Sequence, residues 1–411
     1  MLTSIAWHSL VSRKKTVILT FLSLWISIMV LLSVEHIRLQ AKESFNRTIS
    51  GVDLIVGAPS GQLNLLLYSV FRMGSPTNNI QFDSLTMLQN HALVEWAIPI
   101  SLGDSHRGFR VMGTNESYFQ HFKYGNKQAL TFSQGEAFEN MFDAVLGADV
   151  AEQLGYKLND KIVIAHGIGH TSFTNHDQAP FVIKGILSRT GTPVDKTVHV
   201  SLNAIEAIHL PPNALQALLE QPESYNVKPE SITAIMLGLK NKFATFTVQR
   251  ELNNYQQDRL MAVLPGVAMA ELWTLMGSVE NLLRAIAALV LIASLFGLAT
   301  MLLASMNERQ KEIAVLRVLG AGPATILSLI LLESFILVLL SLVAAVGGVS
   351  LILFGLQGWL AAEFGLFLTP HLLSIDTLLV SGLIVIVALI VSFYPGIEAY
   401  KSALHSQLND G

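Results

Sequence analysis

The sequence predicts a membrane α-helical protein: four transmembrane helices, with an α+β extracytoplasmic domain between the first and second spans. Three observations carry this reading. Hydrophobic residues make up 51% of the 411-residue chain and charged residues only 14%, against about 25% charged in ordinary soluble domains. The apolar excess is gathered into four runs, each long enough to cross a hydrocarbon core about 30 Å thick. Most of the polar residues lie between the first two runs, where strand-like and helix-like segments alternate.

Taken in order, residues 1–15 read as a cytoplasmic amphipathic segment on the inner membrane surface, ending in Arg13, Lys14 and Lys15. Residues 16–34, "TVILTFLSLWISIMVLLSV", carry no charge and form the first span. A cleaved signal peptide is the alternative. The run is longer than a signal core of about 7–15 residues and no A-x-A-like site follows, which favours an uncleaved span. Residues 35–278 form the α+β domain. There "DKIVIAHG", "FVIKGIL" and "KTVHVSL" read as strands, and "VLGADVAEQLGYKL" and "NALQALLEQ" as helices. An apolar stretch at 63–71 is either a core helix or a surface for a partner or hydrophobic substrate. From Thr245 a helix, a turn at Pro265 and Gly266, and a long helix lead into the second span, residues 279–306. A cytoplasmic segment, 307–323, precedes the third span at 324–353. An outer loop, 354–376, precedes the fourth span at 377–394, and 395–411 form a cytoplasmic tail. Orientation follows from Lys and Arg, which flank the spans at Arg13 to Lys15, Arg309, Lys311, Arg317 and Lys401 and are missing from 354–376. Both termini are therefore expected in the cytoplasm of a bacterium, with the chain in its inner membrane.

Several functions are excluded. A net charge of −4 gives no reason to expect a nucleic-acid partner. The absence of cysteine rules out disulfides and thiolate metal sites. No G-x-x-x-x-G-K-[ST] cradle occurs, so the chain itself is not expected to hydrolyse ATP. Neither H-E-x-x-H nor G-x-S-x-G is present, and the chain is read as no enzyme in its own right.

The segment "MNERQKEIAVLRVLGAG", 306–322, places five charges between two apolar spans. A charge at the bilayer centre costs about 2.5–3.5 kcal/mol on the insertion scale, so this segment lies outside the core. It is rich in helix formers, pairs Glu308 with Lys311 at i,i+3, and repeats Ile313, Leu316 and Leu319 at helical spacing. On these features alone, a solvated turn and a docking helix stand level. In the following span Glu333 is an intramembrane acid, which faces protein or water and marks a structural or functional site.

The stretch "NERQKEIAVLRVLGAGPATI", followed by Glu333, resembles the MacB/LolC/FtsX family of ABC transporter permeases. The layout of one span, a large external domain and three further spans is similar to that family, as are "VLGADVAEQLGYKLNDKIVI" and "FVIKGIL". Ala314 stands where the family often has Gly, and 191–209 is unlike the lipoprotein or macrolide members. The resemblance implies a homodimer of permease chains over two separate cytoplasmic ATPase subunits, which supply ATP and Mg²⁺ chemistry. It implies contact with the ATPase through Glu308, Arg309, Lys311, Glu312, Ile313 and Leu316. It also implies mechanotransmission: closure of the ATPases drives the first and second spans, which work on the external domain and whatever periplasmic adaptor or binding protein it meets.

Nine of the 12 histidines fall within 35–278. "HGIGHTSFTNHDQ" gathers His166, His170, His176 and Asp177, ligand types that suit Zn²⁺. The bland reading is a polar loop whose histidines bond to backbone. Zinc is the single cofactor expectation for this chain, in a binding or handling role. Two rivals remain: a membrane scaffold or regulator of periplasmic enzymes with no ATPase, and a membrane-bound metalloenzyme.

Overall fold

The computed structural model describes residues 2–167, 178–220, 227–308, 315–316, 318–364, 371–372 and 374–408. The chain divides into two compact units. One comprises Met1–Ala41, Gly277–Leu360 and Phe367–Gly411, and the other Lys42–Met276 with Ala361–Leu366.

The first unit is helical. A short helix, Leu2–Ser12, is followed after Arg13 by the first spanning helix, Lys14–Arg47. The second, third and fourth spanning helices are Pro265–Glu308, Pro323–Phe364 and Ile375–Leu408. All four are long and apolar enough to cross a membrane. Pro265 and Pro323 each occupy the first helical position, where the missing N–H costs nothing. The expected break at Pro265 is thus the start of the long helix. At 1.5 Å per residue the first spanning helix is about 51 Å long and the second about 66 Å, both well beyond a hydrocarbon core of about 30 Å.

The second unit is built on fifteen short and long strands among the described residues. They are β1 (Leu54–Gly57), β2 (Ile80–Gln81), β3 (Val94–His106), β4 (Phe109–Thr114), β5 (Lys123–Tyr124), β6 (Gln128–Ala129), β7 (Phe132–Gly135), β8 (Asp143–Leu146), β9 (Lys161–Ile162), β10 (Ala165–His166), β11 (Phe181–Leu187), β12 (Thr197–Ser201), β13 (Ser231–Ile232), β14 (Ala234–Leu239) and β15 (Met261–Val263). The main sheet runs β15-β1-β14-β3-β4-β12-β8-β11-β7, with β10 on β3 and β9 on β11. It is mixed: β11 with β8 and β12 with β4 are parallel, and the other pairs are antiparallel. The long strand β3 joins its two halves. Val94 to Ile100 pair with β14, whereas Ser101 to His106 pair with β4.

Both faces of this sheet are covered, and period-2 alternation sends neighbouring residues into different cores. Leu54 and Val56 of β1 enter one apolar cluster while Ile55 enters another. Ala144 and Leu146 of β8 likewise face away from Val145. The apolar stretch at 63–71 is a core helix, Gln62–Ser69, with Leu65, Leu66 and Tyr68 buried, so it is not an open docking surface.

The segment "VLGADVAEQLGYKL" differs from its expectation at its start. Val145 and Leu146 are the end of β8, paired on both sides and fully buried, and the helix begins only at Ala148. Sheet pairing outweighs the helical look of the run. Gly147 makes the turn because a Cβ there would strike the backbone at Val194 and Asp195. Gly155 ends the helix in the left-handed conformation, φ +69°. The remaining expected elements form as β9, β10, β11, β12 and the helix Pro212–Glu220, with "DKIVIAHG" divided between two strands.

Candidate functional site

Glu333 is fully buried in the third spanning helix, and it pairs with Arg13 at the joint between the first two helices of the chain, among other contacts. Arg13 Nη2 donates to Glu333 Oε2 at 3.2 Å and to Ser9 Oγ at 2.9 Å, and its Nε donates to the Ser9 carbonyl at 3.3 Å. A carboxylate in an apolar surround is costly unless a counter-charge meets it, and here a guanidinium does. The sequence marks both residues but not their pairing, since 320 positions separate them and Arg13 reads only as an orientation signal.

A second polar set joins the first and second spanning helices. Ser27 Oγ lies 2.5 Å from Ser294 Oγ, and Ser23 Oγ donates to the same oxygen at 3.1 Å. Nearer the other end of the first helix, Glu35 takes a fork from Arg284: Nε to Oε2 at 3.0 Å and Nη2 to Oε1 at 2.9 Å. Arg38 donates to Glu35 Oε1 at 2.6 Å and sits 3.7 Å from Glu280. Within the α+β unit the same two helices meet again, where Phe45 packs edge-on against Trp273 at 5.8 Å and Lys42 lies 6.0 Å from that ring. Hydroxyls that bond across helices, a bidentate pair and an aromatic contact thus join the two helices at three levels. Sequence reasoning missed this set; an acid and two arginines flanking the two apolar runs were its only trace.

Of the expected ATPase contacts, Arg309, Lys311, Glu312 and Ile313 lie outside the described residues. Glu308 ends the second spanning helix, and Leu316 is half-buried in a helical stretch. A turn at 319–320 precedes the third helix.

His170, His176 and Asp177 also lie outside the described residues. His166, on β10, is brought to Asp104 and His209. Its Nδ1 is 2.9 Å from Asp104 Oδ1, and His209 Nε2 is 3.8 Å from the same oxygen. The two imidazoles stack, with centroids 4.4 Å apart and planes 12° apart. Asp104 was not singled out from the sequence, because its role depends on strand register: His166 is its antiparallel partner.

Other histidines are structural. His106 Nδ1 donates to the Val163 carbonyl at 2.6 Å, so in the neutral ring Nε2 accepts from Tyr156 Oη at 3.0 Å. Burial lowers its pKa, with the Val163 bond acting the other way. His199 is fully buried beside Tyr118 and Phe119, with centroids 5.2 and 5.9 Å away. Burial, reinforced by the charge of Arg72, pushes its pKa down to about 3. Unfolded, the same imidazole titrates near 6.5. Its contribution to stability is therefore complete above that pH and is lost as pH falls toward 3, by at most ~1.4 kcal/mol per pH unit. Thermal unfolding of the detergent-solubilised chain between pH 7 and pH 5 should show a shallower acid loss for His199→Phe than for wild type. Identical slopes would contradict this assignment.

Two family models together match most of the chain. The family model of the FtsX-like permease C-terminal region matches residues 284–404, and that of the MacB-like periplasmic core domain matches residues 17–255. Among solved structures, the periplasmic region of MacB from Actinobacillus actinomycetemcomitans is similar at 12% identity and a TM-score of 0.34, over 57% of this chain and 95% of that one. The extracellular domain of the noncanonic ABC-type transporter YknZ from Gram-positive bacteria is similar at 12% identity and a TM-score of 0.30, over 51% of this chain and 98% of that one. No curated protein matches the chain by sequence.

Proposed function

The chain belongs to the MacB/FtsX-type permeases, multi-pass membrane components of ABC transporters that work with a cytoplasmic ATPase, and on that premise we propose that it is a mechanical transmitter. ATP-driven closure of a separate ATPase moves the first and second spanning helices, and these move the α+β domain on the far side of the membrane. The observation that carries this reading is the bonding of those two helices to each other at Ser27–Ser294, Glu35–Arg284 and Phe45–Trp273. Bonds between the two helices let a displacement of one be passed to the other, which is what transmission requires.

In this reading Glu308, Arg309, Lys311, Glu312, Ile313 and Leu316 form the surface that meets the ATPase. The alternation of charged and apolar residues in this segment suits a groove on such a partner. Two permease copies pair in the bacterial inner membrane, with both termini in the cytoplasm and the α+β domain in the periplasm, where an adaptor or binding protein can meet it. ATP and Mg²⁺ act on the partner, not on this chain.

The rival without transport is a scaffold that needs no ATPase. Isolation of the tagged chain from its native membrane in mild detergent separates the two. The expected result is co-purification of a subunit that binds ATP and whose hydrolysis rate changes when the chain is removed. A chain that purifies without such a subunit, and leaves ATP hydrolysis unaltered, would support the scaffold.

A further inference from the structure

We propose that Asp104, His166 and His209 form a divalent transition-metal site, with zinc as the fitting ion, on the α+β domain. The three residues come from separate elements: the end of β3, its antiparallel partner β10, and the residue that closes the helix Leu202–Ile208. They are held by backbone structure. His166 and Asp104 are a register pair, and the His209 N–H donates to the Glu206 carbonyl at 3.1 Å.

The charge arrangement asks for a cation. The Asp104 side chain is only 4% exposed, and its Oδ1 accepts no hydrogen bond among the described residues. What faces that oxygen is Nδ1 of His166 and Nε2 of His209. A buried carboxylate in this state is costly without a counter-charge. Protonating both imidazoles would supply charge but would set two cations in stacked rings 4.4 Å apart. A divalent ion answers both demands: it takes a lone pair from each neutral ring and offsets the carboxylate.

The distances fit. Bonds of 2.0–2.1 Å in a tetrahedron put neighbouring ligand atoms about 3.3 Å apart. The two measured edges, 2.9 and 3.8 Å, lie on either side of that value, and all three ligand atoms are within 4.8 Å of one another. Two nitrogens and one oxygen suit zinc better than calcium or magnesium, which prefer oxygen. The imidazoles are accessible, His166 50% and His209 31% exposed. The site is one for binding or sensing a metal, and it stands independently of the ATPase reading.

The test is calorimetric titration of the full-length, metal-stripped chain in detergent with Zn²⁺ at pH 7.5. The expected result is one ion per chain, with affinity at least tenfold lower in Asp104→Asn and in His209→Asn. Replacing His91, which lies beside Glu251 elsewhere on the domain, with Ala should leave binding unchanged. Because Asp104→Asn alters a buried residue, His166→Gln at the exposed rim is the second variant, and Co²⁺ absorption reports low-coordinate ligation directly. Absence of stoichiometric zinc, or variants that bind as wild type does, would overturn the proposal.

Discussion

Arg13→Ala should destabilise the membrane unit, since removing one partner of a buried ion pair costs roughly 3–5 kcal/mol. Glu333 is fully buried and lies in an apolar helix, so water cannot take the place of the guanidinium. The variant should show a clearly lowered unfolding temperature in detergent and poor recovery from membranes. Glu333→Ala should do similar harm, because Arg13 is itself only 9% exposed. The double replacement Arg13→Met/Glu333→Leu should recover most of the loss, since apolar residues of similar volume commonly replace a buried pair at little cost. If Arg13→Ala unfolds as wild type does, the pair is not what holds the joint to the third helix.

The legible part of this protein was whatever local pattern governs. Four long apolar runs announce four spanning helices because lipid admits no other uninterrupted element of that composition. Strands β11 and β12 were visible as short β-branched runs, and Glu333 as an acid where none belongs. The illegible part was what pairing at long range decides. Val145 and Leu146 look helical, yet sit in β8 because β11 and β12 flank them. Arg13 and Arg284 look like membrane-flanking charges, and their partners Glu333 and Glu35 are fixed only by helix packing. His166 was seen with its loop neighbours, but its contacts with Asp104 and His209 come from strand register and the end of a helix.

The central claim is that ATP bound on one side of the membrane alters the domain on the other, through this chain. The most direct measurement is hydrogen exchange over residues 42–276 in the purified complex with its ATPase, in the presence and absence of ATP. The account predicts that ATP changes amide protection in the α+β domain, and that the change vanishes in Glu308→Lys/Glu312→Lys. Reversing two charges on the docking surface should weaken the ATPase contact at least tenfold, or about 1.4 kcal/mol, while the fold of the domain stays intact. Protection that is the same with and without ATP in a wild-type complex that hydrolyses it, or an ATP response that persists undiminished in the double variant, would contradict the account.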